Sequence, residues 1–383
     1  MDVPLKNPKP DIEQFVAVIT GHKPPDRVHF AELFLDNETM QVISEKYLDR
    51  RWVTPDYADR ATFLPYFDNV IECWHRLGYD YVWAGGWLEI LFHGKYRVGA
   101  DTAEHAKSTR IWMEESDGVV SSWEDFEKYP WPDAKTVSLA AYEYASKRLP
   151  EGMGLFACFG QGTLENVMNV LVGLEPLSYM LYEQPDLVEA IVEKVGQILY
   201  TLSERVIGLP KLAGFFQGDD MGYQSATLIA PDHLRKYVLP WHKKIAKLAH
   251  DNHLLYILHS CGNLDEIMED LIDDVGIDAK HSFQDKILPV ADFKARYGDR
   301  IGTLGGVDVD KMCRWSEKEI RPYVREILDR CMPGGRYALG TGNSVANYIP
   351  TENYLAMLDE GMKWKSTKGG TVRRRRQGGT HDN

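Results

Sequence analysis

Short apolar runs recur along the chain, and most are followed by a longer stretch of mixed polar and apolar residues. The runs are rich in β-branched and aromatic residues and have the length of buried strands. They predict eight strands: Val28–Leu35, Tyr81–Ala84, Leu155–Phe159, Ala213–Gln217, Leu255–His259, Ile277–His281, Ile301–Leu304 and Tyr337–Leu339. Strands that alternate with helices form a parallel sheet, because each crossover returns the chain in the same direction.

Apolar residues at three- and four-residue spacing predict the helices between the strands. The longest stripe predicts a helix over 186–207, and a second helix is predicted over 231–250 with a kink at Pro240. Shorter helices are predicted over 264–273, 316–330 and 351–363. Eight strand–helix units favour an α/β fold closed into a (β/α)8 TIM barrel over an open doubly wound sheet. No G-x-G-x-x-G motif follows the first strand to indicate a dinucleotide fold.

The barrel is expected to be a single domain over residues 26–364. Residues 1–25 are interpreted as an N-terminal extension, and segment 93–136 is long enough to cover the mouth of the barrel. Residues 365–383 are polar, glycine-rich and basic, with four consecutive arginines at 373–376. This composition predicts a disordered tail, since it offers too little apolar surface to fold.

Composition restricts the possible partners. The chain has 383 residues, 44% of them hydrophobic, and a net charge of −13, which argues against nucleic acid and anionic membranes as partners. Its five cysteines are scattered and odd in number, which indicates a reducing compartment rather than a disulfide framework. The N-terminus lacks the apolar core of a signal peptide and no run reaches the length of a membrane span, so we expect a cytoplasmic protein.

Polar residues and glycines follow the predicted strands at one end of the barrel. The groups read GGWLE at 85–89, GQGT at 160–163, GDDMG at 218–222, HSCGN at 259–263, HSFQ at 281–284, GGVD at 305–308 and GTGNS at 340–344. Turn formation alone accounts for the glycines. It accounts less well for a histidine, a cysteine and several carboxylates at the rim where barrel enzymes carry their chemistry.

The HSCGN group predicts two metal ligands. At a strand end, His259 and Cys261 point to the same side, and imidazole and thiolate are ligands that suit zinc. Two ligands do not make a zinc site, so a third must come from another strand end. Asp219 and Asp220 are the first candidates, with Asp220 favoured over His281 and Glu89, because their turn precedes the neighbouring strand. The alternative interpretation is an inert buried cysteine in a chance match.

Other rim residues have predicted roles in catalysis and substrate binding. Asp219, Asp220 and Asp308 can serve as general acids or bases or bind a cationic substrate group, although paired aspartates are also common as helix caps. Residues predicted to contact the substrate are Glu32, Trp87, Glu89, Gln161 and Asn343.

The HSCGN segment, the GGVDV segment at 305–309 and the LGTGN segment at 339–343 resemble the uroporphyrinogen decarboxylase superfamily. The resemblance extends from residue 26 to about residue 364 and implies a (β/α)8 barrel. It also implies one of two chemistries. The true decarboxylases remove carboxyl groups from a tetrapyrrole without a cofactor. The corrinoid-linked methyltransferases use zinc to activate a thiol and exchange a methyl group with a corrinoid protein.

The chain departs from the decarboxylase pattern at three places. The region matching their R-Q-A-G-R signature reads RVHFAEL at 27–33, without a second arginine and with an added Glu32. Their key aspartate is replaced by the segment AGGW at 84–87, and their late histidine falls on Thr341. An acidic protein without the paired arginines is a poor match for a polycarboxylate substrate. The resemblance is therefore closer to the methyltransferases, although the third zinc ligand of that branch, a cysteine, corresponds to Asn343 here.

The leading hypothesis is a zinc-dependent methyltransferase that moves a methyl group between a small methoxylated or methylated substrate and a corrinoid protein or a thiol. In it His259 and Cys261 bind zinc, and Asp219 or Asp220 provides the third ligand or the acid. One alternative is a metal-free decarboxylase or lyase acting on a small acid through Asp219, Asp220 and His259. Another is a ligand-binding barrel without catalytic activity, which the replacement at Asn343 would allow.

Overall fold

The computed structural model describes residues 2–54, 56, 60–85, 91–100, 109–113 and 117–365. Its strands are β1 Tyr81–Ala84, β2 Tyr96–Ala100, β3 Thr109–Met113, β4 Gly154–Ala157, β5 Leu212–Gly218, β6 Leu255–His259, β7 Ala279–His281, β8 Gly302–Leu304 and β9 Tyr337–Ala338. Its α-helices are α1 Ile12–Ile19, α2 Asn37–Tyr47, α3 Arg60–Leu77, α4 Trp123–Lys128, α5 Ala140–Arg148, α6 Thr163–Glu165, α7 Leu174–Glu183, α8 Pro185–Val206, α9 Pro231–His233, α10 Leu239–Asp251, α11 Val290–Tyr297, α12 Val309–Arg314, α13 Glu317–Cys331 and α14 Thr351–Lys363.

Seven of these strands form one parallel sheet in the order β1-β4-β5-β6-β7-β8-β9. Apart from the separate pair β2 and β3, each strand pairs with the next along the chain, and helices fill the connections, as the alternating pattern predicts. The curled sheet has the TIM-barrel-like α/β architecture that the sequence predicts. All carboxyl ends lie at one rim, where the residues after each strand can converge.

The first predicted strand, Val28–Leu35, does not form as a continuous strand. Its backbone meets the region after β9 only at isolated bridges, between Phe30 and Leu339 and between Leu35 and Val345. On its other side the Tyr81 hydroxyl accepts the Glu32 N–H at 2.9 Å and donates to the Glu32 carbonyl at 2.8 Å. β9 has only two residues, so it offers too short an edge for a full ladder. On the side of β1, the Tyr81 side chain takes the place of backbone pairing.

The predicted helices are present, with local differences. The helix predicted over 231–250 passes through a π-helical turn, Leu234–Val238, between α9 and α10. Pro240 is the second residue of α10, and the π-helical turn directly before it contains Lys236, whose carbonyl the proline ring would otherwise meet. The helix predicted over 264–273 is instead a 3₁₀ turn, Asp265–Ile267, followed by a π-helix, Asp270–Val275.

One hydrophobic core joins the sheet to the surrounding helices. The stripe predicted on α8 is buried, including Leu187, Ile191 and Val195, each with no exposed surface. Full burial of such a side chain stabilises the fold by about 1.5–3 kcal/mol, so α8 is firmly anchored. α8 also packs closely on α10, because a Cβ added at Gly196 would lie 2.1 Å from the Trp241 ring.

Segment 93–136 contains the antiparallel hairpin of β2 and β3, which is separate from the barrel sheet, followed by α4. Its position over the barrel mouth stays a prediction. None of the helices in the described ranges combines the length and apolar character that a membrane crossing requires.

Candidate metal site at the carboxyl rim

Three neighbouring strands position the site. Gly218, the last residue of β5, pairs with His259, the last residue of β6, and His259 pairs with His281, the last residue of β7. The turns after β5 and β6 also touch. Gly262 has a φ of +83°, and a Cβ added there would lie 2.1 Å from the backbone carbon of Gly222, so glycine is required for this approach.

These turns bring Asp220, His259 and Cys261 together. One potential ligand atom from each lies within 4.8 Å of the others. The His259 Nε2 atom is 3.4 Å from the Cys261 sulfur and 3.6 Å from the Asp220 Oδ1 atom. Two ligands of one tetrahedral zinc lie about 3.5 Å apart, given bonds of about 2.0–2.3 Å, so the donor set and its spacing fit this ion.

The orientation of the three groups is supported by further hydrogen bonds. The Cys261 N–H donates to Asp220 Oδ1 at 2.8 Å, which turns the carboxylate toward the cluster. The Nδ1 atoms of His259 and His281 are 2.7 Å apart, so one of them carries the shared hydrogen. A metal at Nε2 of His259 requires that hydrogen on its Nδ1, and His281 then accepts it, as the second partner of a ligand histidine does.

Burial keeps the side chains of His259 and Cys261 uncharged in the absence of a cation. It lowers the pKa of His259 to about 4, so the imidazole is neutral. Burial and the nearby charge of Asp220 together raise the pKa of the Cys261 thiol to about 12. A bound divalent cation reverses this preference, because it stabilises the thiolate directly. The cluster is therefore better suited to hold a metal than to present a free thiolate nucleophile.

Cys261 opens onto a cavity of about 710 Å³ at the barrel mouth. This volume lies within the range of about 300–1,000 Å³ that is typical of small-molecule sites. The wall combines aromatic, amide, charged and thiol side chains, including Tyr223, Gln224, Phe283, Gln284, Lys286, Asp308, Asp310, Cys313, Asn343 and Tyr348. A small molecule in this cavity would contact the cluster through Cys261.

The model of the family described as uroporphyrinogen decarboxylase (URO-D) matches residues 113–364, which is most of the chain. The chain belongs to the uroporphyrinogen decarboxylase family. The family predicted from the HSCGN, GGVDV and LGTGN segments is thus confirmed.

Two relatives from Methanosarcina mazei carry methyltransferase names. The protein named methylated-thiol–coenzyme M methyltransferase is 30% identical over 135 residues, which cover 35% of this chain and 34% of that protein. The chain therefore matches about a third of the length of this curated relative. A solved structure described as a methyltransferase has a TM-score of 0.66 and 16% identity, and the match covers 93% of this chain and 99% of that one. At this identity, the similarity to the solved structure shows a shared fold.

Asp219 points away from the cluster, unlike its neighbour Asp220. Its carboxylate accepts the Leu164 N–H at 3.1 Å and the Glu165 N–H at 2.9 Å, at the start of α6. It also pairs with His242 Nε2 at 2.8 Å. Asp219 is completely buried and holds the β4–α6 turn against β5, so the cluster includes only the second aspartate of the predicted pair.

The carboxyl groups of Asp308, predicted as an acid or base, and Glu32, predicted as a substrate contact, are bound elsewhere. Asp308 lines the cavity, but its carboxylate caps α12 through the Lys311 N–H and accepts the Asp285 N–H. Glu32 is buried inside the barrel, where its two oxygens lie 2.6 Å from the N–H and hydroxyl of Thr341. Burial raises the pKa of Glu32 to about 8. Neither carboxyl group faces the cluster of Asp220, His259 and Cys261.

The remaining predicted substrate contacts are divided. Asn343 lines the cavity and donates from Nδ2 to the Cys261 sulfur at 3.2 Å. The Gln161 Oε1 atom is buried without a hydrogen-bond partner among the described residues, and its backbone bridges to Gly218. Trp87 and Glu89 lie outside the described residues.

Three residues near the cluster are not predicted by the sequence patterns. Glu165, on α6, faces Asp220, and burial together with the charges of both aspartates raises its pKa well above the usual range. Its signal was its place in the first turn after the GQGT group. Ser282 belongs to the HSFQ group and donates to the Cys261 sulfur. Lys280 is a buried lysine within β7, and nothing in the local pattern distinguishes it from a surface lysine.

Proposed function

We propose that this chain is a zinc-dependent methyltransferase that moves a methyl group between a small methylated substrate and a thiol or a corrinoid protein. The observation that carries the proposal is the Asp220–His259–Cys261 cluster, whose donor set suits zinc and which opens onto a cavity of substrate size. The methyltransferase name of the curated Methanosarcina mazei relative supports the choice of reaction.

In this proposal Asp220, His259 and Cys261 would hold zinc, which when bound lowers the pKa of a substrate thiol. The cavity that Cys261 lines would admit the substrate sulfur to the side of these residues. The new bond joins the methyl carbon to that sulfur, and the bond from the methyl carbon to its donor breaks. The thiol hydrogen leaves as a proton to the demethylated donor or to water.

The name of the curated relative favours thiols as substrates. That protein is named for methylated thiols and coenzyme M, and its alignment with this chain covers 135 residues. We therefore favour a methylated thiol as methyl donor and a second small thiol as acceptor. A corrinoid protein would either carry the methyl group between the two thiols or exchange it directly with one of them. The cavity wall includes the apolar rings of Phe283 and Tyr223, which suit a methyl group.

A metal-free decarboxylase remains the second candidate because the family is named for that activity. Such an enzyme needs cationic side chains to bind carboxylates. Among the described residues of the cavity wall, Lys286 is the single lysine or arginine, and Asp308 and Asp310 lie on the same wall. This charge balance favours the methyltransferase. A ligand-binding barrel without turnover is the third candidate.

Metal content and methyl transfer test the proposal together. Purified protein is expected to contain one zinc per chain by elemental analysis and to transfer methyl groups from methylcobalamin to small thiols. Cys261→Ser should lose both properties, whereas Cys313→Ser is a matched control that removes a thiol from the same cavity but outside the cluster. Equal zinc in both variants, or activity that survives complete chelation, would refute the zinc-dependent mechanism and favour the metal-free alternative.

A further inference from the structure

The Cys261 sulfur accepts hydrogen bonds from two side chains outside the ligand set. Ser282 Oγ donates to it at 3.4 Å, and Asn343 Nδ2 donates at 3.2 Å. Both distances are ordinary for a sulfur acceptor. Asn343 stands where the methyltransferase pattern implies a third cysteine ligand, and in this structure it binds the sulfur of the ligand that remains.

A backbone hydrogen bond holds the two donors side by side. The Phe283 N–H donates to the Gly342 carbonyl at 2.7 Å, which joins the turn after β7 to the turn after β9. Ser282 precedes the first of these residues and Asn343 follows the second. The two side chains therefore reach the same sulfur from adjacent turns.

Ser282 is held in a costly conformation. Its φ is +83°, in the left-handed region that residues with a Cβ rarely adopt. The Lys280 ammonium donates to the Ser282 carbonyl at 2.5 Å, and its other polar contacts in the described structure are the carbonyls of Ser260 and His281. Both residues are buried, with 4% of Ser282 and 5% of Lys280 exposed. Strained backbone held by a buried charge is typical of functional positions.

We propose that Ser282 and Asn343 are positioning residues that fix the Cys261 sulfur and weaken its electron-donor strength. This inference rests on the proposed zinc-dependent function. During methyl transfer, the ligand sulfur and the substrate sulfur would both lie near the methyl group. Hydrogen bonds to the ligand sulfur withdraw electron density from its lone pairs. The methyl group then joins the substrate sulfur, and Cys261 is not converted to a thioether, which would remove its negative charge.

Ser282→Ala and Asn343→Ala each remove one hydrogen bond to the sulfur. In cobalt-loaded protein, the thiolate-to-metal charge-transfer band should move to longer wavelength, because a thiolate without donors is easier to oxidise. In zinc-loaded protein, iodoacetamide should alkylate Cys261 several-fold faster, as measured by peptide mass spectrometry. Asn263→Ala is the matched control, since the Asn263 side chain contacts the Asp265 N–H and the Ser225 carbonyl instead.

Ser282→Gly separates the hydrogen bond from the backbone strain. Glycine adopts positive φ without penalty, so this variant should melt at a higher temperature than Ser282→Ala. Both variants lack the hydroxyl group and should share the same band shift and the same faster alkylation.

The possible outcomes distinguish this inference from the proposed function. If the wild type binds both metals and the alanine variants match it in band position and alkylation rate, the inference is overturned and the function stands. If the wild type binds neither metal, the zinc-dependent function fails and the inference fails with it. A shift in the two alanine variants that is absent from Asn263→Ala supports the inference.

Discussion

Replacing Glu32 with glutamine tests the electrostatics of the barrel interior. Burial raises the pKa of Glu32 from 4.5 to about 8, and hydrogen bonds from Thr341 offset only part of the lost hydration. The folded protein therefore holds a neutral carboxylic acid at pH 7. Glutamine has the same shape, and its amide can accept the Thr341 N–H and donate to the Thr341 hydroxyl, which now lie 2.6 Å from the two oxygens.

The magnitude follows from proton linkage. Between pH 4.5 and about pH 8, Glu32 is ionised in the unfolded chain and protonated in the folded one. Folding then takes up a proton, so this group's contribution to stability is complete below pH 4.5 and is lost as pH rises, by about 1.4 kcal/mol per pH unit. At pH 7 the accumulated cost is roughly 3 kcal/mol. Glu32→Gln avoids this cost because it cannot ionise in either state.

Urea and thermal unfolding at several pH values provide the assay. Glu32→Gln should be more stable than the wild type by roughly 3 kcal/mol at pH 7 and within about 1 kcal/mol of it at pH 5. Glu266→Gln changes an exposed carboxyl group and serves as the control. A stability difference that does not vary with pH, or a loss of stability at pH 7, would refute the neutral acid.

Three further substitutions examine the rim. Asn343→Cys places a thiol where Nδ2 now lies 3.2 Å from the Cys261 sulfur, and it should tighten zinc binding at least about tenfold in chelator competition. Unchanged zinc affinity would show that a thiol at this position does not reach the metal. His281→Ala leaves His259 Nδ1 without its partner and should weaken zinc binding about 10–100-fold, whereas a wild-type dissociation constant would contradict the supporting role. Asp219→Ala removes a buried carboxylate that binds the start of α6 and His242, and it should lower the free energy of unfolding in urea by about 3–5 kcal/mol. A decrease below about 1 kcal/mol would argue against this stabilising role.

Local pattern was sufficient to identify most of the sheet. β1 and β6 have the predicted bounds because each is an apolar run with a clear end, after which glycine or a polar turn follows. Val28–Leu35 has the same apolar character, but whether it forms a ladder depends on the length of the strand beside it. The neighbouring β9 has two residues, so only isolated bridges form. A strand's pairing is thus decided by its partner as well as by its own residues.

The candidate site shows the same division. The two-residue spacing predicted that His259 and Cys261 would share one side, and their donor atoms are 3.4 Å apart. The adjacent aspartates could not be distinguished in this way, because successive residues in a turn point in different directions. Tertiary contacts separate them: Asp219 binds the start of α6, and Asp220 faces the cluster.

The sequence by itself determined the α/β class, the parallel order of most strands, the family, and the residue types that gather at one rim. These follow from periodicity and strand order, which are local properties of the chain. Only the tertiary structure decided which rim side chains lie together at the candidate metal site. It placed Asp220 in the site and Glu165 and Ser282 beside it. Register between strands and the close approach of turns at Gly222 and Gly262 set those distances, and both depend on residues far apart in the chain.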